Sequence, residues 1–410
     1  MVYLVAVKIH IGCQVIKSDF ICLQIVHLHD PETTILNRIK GIVYDCLLWL
    51  ARLGYRQKPL QPKLLIVRVD EIGDYMLWRN FLNEIVASPK YSNHEIHFCG
   101  NRSWKSLFEQ FDASSVNKHF WIDKIRFKSE LRYRYRFLQM IYRQGYTTAI
   151  NPTFSRDKRY DDSIIRAAGA KENIGMIANT ESVQPYELGY DKDLYTQLFD
   201  HPYKPLFEFY RNRMFTEFIT GIYSSVVDTK VASPLLPPYD GLPEKFIVVF
   251  PGSRSKTRIW PVDNFVKVAT YLYEQKGYTA VVCGAAGDKI YTDAFCKAYT
   301  YPLLDLTGKT SLPEMLTVLQ KASMLLSVDT GSVHLAAAVG CPVTGIFNGS
   351  QYKRFAPYPK ELSGHFIAVY PKQIQEELAN EELVRSKYEF VIDLPYSLVS
   401  PEQVIQAISY

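Results

Sequence analysis

Short apolar runs alternate with stretches of helical periodicity along most of the chain. Residues 64–69, Leu-Leu-Ile-Val-Arg-Val, form an apolar run that predicts a buried parallel strand. A polar loop, residues 70–74, follows, and a helical pattern begins at Tyr75. Further strands are predicted at Glu95–Cys99, Tyr146–Ile150 and Asn173–Met176. Strands that alternate with helices predict an α/β fold with a parallel sheet.

A second series of the same kind begins after residues 226–244, a stretch with several prolines and little periodicity. Its predicted strands are Phe246–Phe250, Thr279–Cys283, Leu303–Leu306, Met324–Val328 and Val343–Phe347. A chain of 410 residues is too long for one compact core of ordinary size. We therefore expect two Rossmann-like domains that face each other across a cleft, one over residues 61–235 and one over residues 236–410.

Residues 1–60 stand outside this alternation. The first 30 are moderately apolar, but charged residues interrupt them and they lack the layout of a signal peptide. Residues 33–56 carry apolar residues at helical spacing, with Arg and Lys between them. This pattern predicts an amphipathic helix that either packs on the domain or lies at a membrane surface with Trp49 near the headgroups.

The charge and cysteine content narrow the functional classes. A formal net charge of +5 is too small for a typical nucleic-acid-binding protein but suits an anionic substrate or an anionic membrane surface. The seven cysteines include no C-x-x-C pair, which favours reduced thiols and a cytoplasmic location and argues against a zinc site. No segment reaches the roughly 20 apolar residues that span a bilayer.

Basic residues are concentrated between positions 122 and 143. This stretch interleaves aromatic residues with Lys124, Arg126, Lys128, Arg132, Arg134, Arg136 and Arg143, against Asp123 and Glu130. Either it is a solvated helix face, or it forms a surface for an anionic acceptor or an anionic lipid.

The strongest candidate for ligand chemistry is the segment 327–343. A predicted strand ends at Val328, and a helix follows from near Ser332 to near Gly340. The turn between them places unpaired backbone N–H groups and a helix dipole at the sheet edge, which favours an anion. Thr330 and Ser332 add hydroxyl donors, and glycine at 331 permits close approach. The alternative is an ordinary capped helix, with Asp329 as N-cap and His334 as a plain helix residue.

Two further loops lie at predicted strand ends in the same half. The loop after Phe250 carries Arg254, Lys256 and Arg258, and three cations at a strand's carboxyl end suit a diphosphate. Surface solvation is the alternative. After the strand that ends at Cys283, Asp288 either holds ribose hydroxyls or caps a helix.

In the N-terminal half, Asp74 lies at the first strand-to-helix turn, facing the cleft, and is a candidate general base. The alternative is that the acids of this turn complement a helix N-terminus. Two other patterns are set aside. Residues 308–310, Gly-Lys-Thr, lack the first glycine of a P-loop, because residue 303 is Leu. The Asp191-Lys192-Asp193 triplet follows no apolar strand.

Together and in this order, these segments resemble glycosyltransferase family 9, the heptosyltransferase family of lipopolysaccharide synthesis. The matching segments are residues 65–74, 249–253 with 258–261, 282–288, 305–314 and 327–337. The similarity covers roughly residues 62–350, and residues 1–60 fall outside it.

The resemblance implies a GT-B fold and an inverting, metal-independent transfer from a nucleoside-diphosphate sugar, usually ADP-heptose. The acceptor would be a hydroxyl of a lipopolysaccharide-core or related cell-envelope glycan, and the enzyme would be cytoplasmic or peripheral on the inner membrane face. No cofactor besides the donor is implied. In this resemblance Asp74 is the base, and the donor-binding residues are Ser253, Lys256 or Arg258, Asp288, Thr310, Asp329, Thr330, Gly331, Ser332 and His334.

One departure concerns Arg258, which stands where family members commonly carry Lys, with Lys256 two residues earlier. The planar guanidinium of Arg can donate two parallel hydrogen bonds, whereas the ammonium of Lys acts as a point charge. Either Arg258 or Lys256 is therefore a candidate for the diphosphate contact. Two rival functions remain open: a sugar-nucleotide epimerase or hydrolase, and a non-catalytic nucleotide-sugar-binding protein. Fold analogy alone does not decide among them.

Overall fold

The computed structural model describes residues 31–53, 62–177, 194–201 and 205–409. They fall in two compact units that divide between Tyr44 and Asp45, and both α/β halves belong to the second. The Asp191-Lys192-Asp193 triplet lies outside the described residues. Within the described ranges, no helix has both the length and the apolar content that crossing a bilayer requires.

The N-terminal half is built on a six-stranded parallel sheet. Its strands are β1 (Lys63–Arg68), β2 (Glu95–Asn101), β3 (Lys118–Ile122), β4 (Thr148–Asn151), β5 (Glu172–Met176) and β6 (Gln197–Phe199). The helices of this part of the chain are α1 (Pro31–Arg52), α2 (Ile72–Met76), α3 (Phe81–Ala87), α4 (Lys105–Phe111), α5 (Lys124–Ser129), α6 (Leu131–Tyr142), α7 (Asp161–Ala168) and α8 (Glu208–Thr220).

The C-terminal half repeats this plan. Its strands are β7 (Phe246–Phe250), β8 (Thr279–Val282), β9 (Leu303–Asp305), β10 (Leu325–Val328), β11 (Val343–Ile346) and β12 (Phe366–Val369). Its helices are α9 (Val262–Lys276), α10 (Lys289–Ala298), α11 (Leu312–Lys321), α12 (Gly331–Ala338), α13 (Lys372–Ala379), α14 (Glu381–Leu383), which runs into a π-helical turn (Val384–Tyr388), and α15 (Pro401–Ile408).

The two sheets have the same topology. Their strand orders are β3-β2-β1-β4-β5-β6 and β12-β11-β10-β7-β8-β9, and every pairing is parallel. In each half the strand order reverses beside the first strand, between β1 and β4 and between β7 and β10. Ligands of doubly wound sheets bind at such switch points, beyond the carboxyl ends of the strands. The predicted α/β class with two parallel sheets is confirmed.

Of the twelve strands in the described ranges, nine were predicted, each with ends within about two residues of those observed. The three that the pattern missed, β3, β6 and β12, are all edge strands. Strands β3 and β6 begin with polar residues, so they lack the continuous apolar run that marks a central strand, whereas β12 (Phe-Ile-Ala-Val) carries such a run and was missed all the same. The prediction that the first helix begins at Tyr75 was wrong, because α2 already begins at Ile72.

The helices form layers on both faces of each sheet. Helices α5, α6 and α7 cover one face of the N-terminal sheet, and Leu48 and Ala51 of α1 are buried in the same layer. The end of α1 therefore packs on the domain, while Trp49 remains 62% exposed. The other face of this sheet belongs to an apolar cluster that also includes residues of the C-terminal half. Leu64 of β1 and Val248 of β7 are both part of this cluster. The two halves are thus joined by a continuous apolar core.

Candidate active site

The turn between β10 and α12 is held by hydroxyl groups. Thr330 is the N-cap of α12, and its Oγ1 accepts a hydrogen bond from the Ser332 amide at 3.4 Å. The buried Ser332 hydroxyl lies 2.8 Å from Ser327 Oγ and 2.7 Å from Thr330 Oγ1. Thr330 therefore takes the capping role that the sequence left open for Asp329. These bonds fix the backbone of the turn at the C-terminal switch point.

Arg258 joins the two loops that flank this switch point. Its Nη1 lies 3.1 Å from Asp329 Oδ2, and the Asp329 side chain is only 12% exposed. Burial raises the pKa of Asp329, and Arg258 opposes this shift. Lys256 is exposed and forms no ion pair with any described residue. Of the two candidate cations, Arg258 is the one that the fold places beside the turn.

The loops after β7, β8 and β9 converge next to Arg258. The Asp288 carboxylate accepts a hydrogen bond from the Ala285 amide at 2.8 Å, so Asp288 does cap a turn. It also lies against the donor loop, which is the loop after β7 (residues 251–261), since a Cβ built on Gly252 would fall 2.6 Å from Asp288. The Gly308 amide donates to Gly284 O at 2.9 Å and brings the loop of Thr310 to the same edge. Burial raises the pKa of Asp288.

In the N-terminal half, Asp74 sits in the first turn of α2. Its carboxylate is partly exposed and accepts no hydrogen bond from the described residues. Burial raises the pKa of Asp74, while Arg68 and Arg354 oppose the shift and Glu208 and Glu71 add to it. A carboxylate with free lone pairs and a raised pKa is suited to accept a proton.

Arg68 is a residue of this site that the sequence analysis did not single out. It is fully buried, and its guanidinium donates to Pro152 O at 2.7 Å and to Asp74 O at 2.9 Å. Its Nε lies 3.0 Å from Asp70 Oδ2. It therefore ties the turn after β1 to the loop after β4, across the N-terminal switch point. An arginine inside an apolar strand was the signal, because a buried charge requires partners.

The two halves meet where α2 packs against α12. A Cβ built on Gly73 would lie 2.4 Å from the His334 ring, and one on Gly331 would lie 3.3 Å from Ile72. His334 Nδ1 lies 2.7 Å from the Tyr358 hydroxyl. Burial and the nearby Arg258 lower the pKa of His334 to about 4, so this imidazole is neutral near pH 7. It offers a hydrogen bond to a ligand and no charge.

The structure thus brings the first and last motifs of the sequence together, although Asp74 and His334 are 260 positions apart (334 − 74). Arg254, the remaining cation of the donor loop, turns towards the N-terminal half and lies 2.8 Å from Glu71. Among the described residues, no three His, Cys, Asp or Glu side chains gather into a metal-binding group.

Comparison with known proteins agrees with the resemblance. Residues 224–384 match the family model for glycosyltransferase family 9 (heptosyltransferase). Lipopolysaccharide heptosyltransferase 3 of Escherichia coli K12 is 30% identical over 135 residues, which are 32% of this chain and 39% of the relative. The chain thus matches about two fifths of the length of this curated relative. The predicted resemblance to family 9 is confirmed.

Solved structures extend the likeness to most of the chain. The glycosyltransferase family 9 protein of Veillonella parvula superposes with a TM-score of 0.60 at 19% identity, covering 86% of this chain and 98% of that protein. The E. coli heptosyltransferase WaaC, solved with ADP, gives a TM-score of 0.56 at 16% identity, covering 85% and 97%. With two six-stranded parallel sheets, these superpositions confirm the GT-B fold.

Proposed function

We propose that this chain, which carries a glycosyltransferase family 9 region over residues 224–384, is an inverting glycosyltransferase. It would move a heptose from ADP-heptose to a hydroxyl of a lipopolysaccharide-core or related cell-envelope glycan. The observation that carries this proposal is the packing of Gly73 against His334. Through that contact a candidate base in one half and a candidate diphosphate site in the other become neighbours.

The proposed reaction is a single displacement at the anomeric carbon. The acceptor hydroxyl attacks that carbon, and Asp74 takes the hydroxyl proton as the new C–O bond forms. The bond to the diphosphate breaks, and its electron pair leaves with ADP. The partly exposed Asp74 carboxylate, which no described residue engages by a hydrogen bond, supports this role.

Negative charge builds on the diphosphate as it leaves. We assign its stabilisation to Arg258 and to the backbone N–H groups at the start of α12, with His334 as a neutral hydrogen-bonding group. In this proposal the protein supplies the positive charge, and transfer does not depend on a divalent metal. Because Asp329 pairs with Arg258 at 3.1 Å, Arg258 is already held beside the turn before the donor arrives.

The nucleoside of the donor is assigned to the edge formed by the loops after β7, β8 and β9. Asp288 would bind ribose hydroxyls there, with Ser253 and Thr310 beside it. WaaC of E. coli, a structural neighbour, was solved with ADP, which supports a nucleoside diphosphate at the corresponding fold position.

The acceptor would be presented at a membrane, and we propose that the enzyme works at the inner face of the cytoplasmic membrane. Trp49 and Leu53, which are 62% and 49% exposed, support this location. On the same side of the N-terminal sheet, Arg132 and Arg136 of α6 are exposed and form no ion pair with a described residue. An apolar and cationic surface suits anionic lipid.

The test is a transfer assay with ADP-heptose and a heptose-deficient lipopolysaccharide core, followed by mass spectrometry and by NMR of the new anomeric centre. We expect one added heptose with inverted configuration, and equal rates with and without excess EDTA. Asp293→Asn is the matched control for Asp74→Asn, because it makes the same substitution at an exposed carboxylate on α10. Retained configuration, or activity that EDTA abolishes and Mg²⁺ restores, would overturn the mechanism.

A further inference from the structure

A loop of the C-terminal half reaches across to the N-terminal half, where it contacts the loop after β4 and the start of α8. This loop, residues 351–358, follows β11 and carries Gln351 at φ 53° and Lys353 at φ 63°. No other non-glycine residue in the described ranges has a positive φ. Such backbone conformations persist where the surroundings hold them in place, and they cluster at functional sites.

Arg354 is the residue that this loop inserts. Its side chain is 4% exposed, and its Nε lies 3.0 Å from Glu208 Oε2 on α8. Its Nη2 donates to Ser155 Oγ at 2.9 Å, and the guanidinium lies 5.1 Å from the centre of the Phe154 ring. The Glu208 amide donates in turn to Arg354 O at 2.9 Å. All of these partners belong to the N-terminal half.

The same loop also contacts the donor side of the site. Tyr358 lies 2.7 Å from His334 Nδ1, and the Phe355 ring meets the His334 ring edge-on at 6.0 Å. The loop therefore contacts His334 of α12 through Tyr358 and Phe355, and it contacts the N-terminal half through Arg354.

Glu208 and Arg354 form a buried charged pair at the start of α8. One turn further along α8, Asn212 Oδ1 accepts a hydrogen bond from Arg68 at 3.2 Å, and Arg68 also donates to Asp74 O at 2.9 Å, so α8 and the turn of Asp74 are held together. Burial alone would raise the pKa of Glu208, but Arg354, Arg211 and Arg68 outweigh burial and lower it. Both members of the pair act on Asp74, Glu208 by raising its pKa and Arg354 by lowering it. The other charged groups around Asp74 are Arg68 on β1 and Asp70 and Glu71 in the turn after it, while the neutral His334 on α12 lies against Gly73.

We propose that Arg354 is a positioning residue for transfer: the donor half supplies it to neutralise Glu208 beside Asp74, so the base is complete only when the two halves are docked. This inference rests on the proposed function, because it takes Asp74 as the base. In this proposal the 351–358 loop couples the C-terminal half, which binds the donor, to proton acceptance by Asp74 in the N-terminal half.

The first test is the acid limb of kcat/KM for the acceptor at saturating donor. Arg354→Met should move this limb to higher pH by about one unit, because an opposing charge is lost near Asp74. Glu208→Gln should move it to lower pH, since a like charge is lost. Arg354→Lys should restore most of the wild-type profile. Lys353→Met, which removes an exposed cation from the same loop, is the matched control.

Opposite shifts in the Arg354 and Glu208 variants are the signature of this role. A purely structural role would lower kcat in both variants and leave the limb in place, and that result would overturn the proposal. Should Arg354→Met fail to fold, the downward shift in Glu208→Gln and its absence in Lys353→Met still decide the question.

A second readout does not require turnover. Burial raises the folded-state pKa of Asp74, so this side chain contributes stability at low pH that is lost as pH rises through that pKa. To measure this loss, Asp74→Asn is made in the wild type and in Arg354→Met. The unfolding free energy of each variant is then compared with that of its parent as a function of pH. In the Arg354→Met background the loss should extend to higher pH. Identical curves would refute the inference, whereas absent transfer with shifted curves would refute only the proposed function.

Discussion

The backbone of Gly73 lies against the His334 imidazole, so closely that a Cβ at position 73 would come within 2.4 Å of His334 Cδ2. His334 is buried and hydrogen-bonded to Tyr358, so its ring has little room to move. Glycine at position 73 therefore sets the distance between α2 and α12, and with it the distance between the candidate base and the diphosphate turn.

Replacing Gly73 with Ala should separate these two helices. We expect a loss of about 1–3 kcal/mol in unfolding free energy, the usual cost of overpacking, and a fall in kcat larger than the change in ADP affinity. Thermal unfolding and steady-state kinetics measure the two effects. Gly41→Ala is the control, because a Cβ there meets nothing within 4 Å. Unchanged stability and kcat in Gly73→Ala would show that the contact is not needed.

Asp74→Asn should reduce kcat by about 10²–10⁴-fold, the usual contribution of general-base catalysis. ADP binding should remain nearly unchanged, because the proposed diphosphate contacts lie in the other half. Rapid-quench or steady-state assays and calorimetric titration with ADP separate these quantities. Normal turnover in this variant would remove Asp74 from the mechanism.

Arg258→Ala should weaken ADP binding by about 1.5–3 kcal/mol, the range for hydrogen bonds to charged groups. Lys256→Ala should have little effect, because Lys256 is exposed and Arg258 is held beside the turn by Asp329. Calorimetry on both variants tests the pair. If Lys256→Ala weakens ADP binding and Arg258→Ala leaves it unchanged, the donor loop binds the diphosphate through Lys256 and not through Arg258.

His334 should make the protein less stable on acidification. Its pKa is lowered from 6.5 to about 4 in the folded state, so the unfolded chain binds the proton more readily between these values. Unfolding free energy should therefore fall as pH drops through this window, at up to about 1.4 kcal/mol per pH unit.

The measurement is urea unfolding between pH 4.5 and 7.5 on the wild type and on His334→Gln. The difference between the two should shrink steadily towards low pH. His365→Gln, at an exposed position, is the control and should follow the wild-type curve. A pH-independent difference between wild type and His334→Gln would contradict a buried neutral imidazole.

The sequence alone determined the fold class and the neighbourhood of the site. Apolar runs such as residues 64–69 and 246–250 mark central parallel strands, because both faces of such strands are covered. The loops at their carboxyl ends are then confined to one edge of each sheet, which is why the donor-loop and turn residues were recognisable as candidates. The edge strands β3 and β6 were missed, since polar residues interrupt their apolar signal.

Only the tertiary structure decided which candidates meet. No local pattern relates Gly73 to His334, or Arg354 to Glu208, because their proximity arises from how the two sheets dock through a shared apolar core. The position of Arg258 beside the turn likewise follows from its ion pair with Asp329, a contact between residues 71 positions apart (329 − 258). Residue type and spacing determine the chemistry that each loop offers, whereas long-range packing determines which side chains share a site and what burial does to their charges.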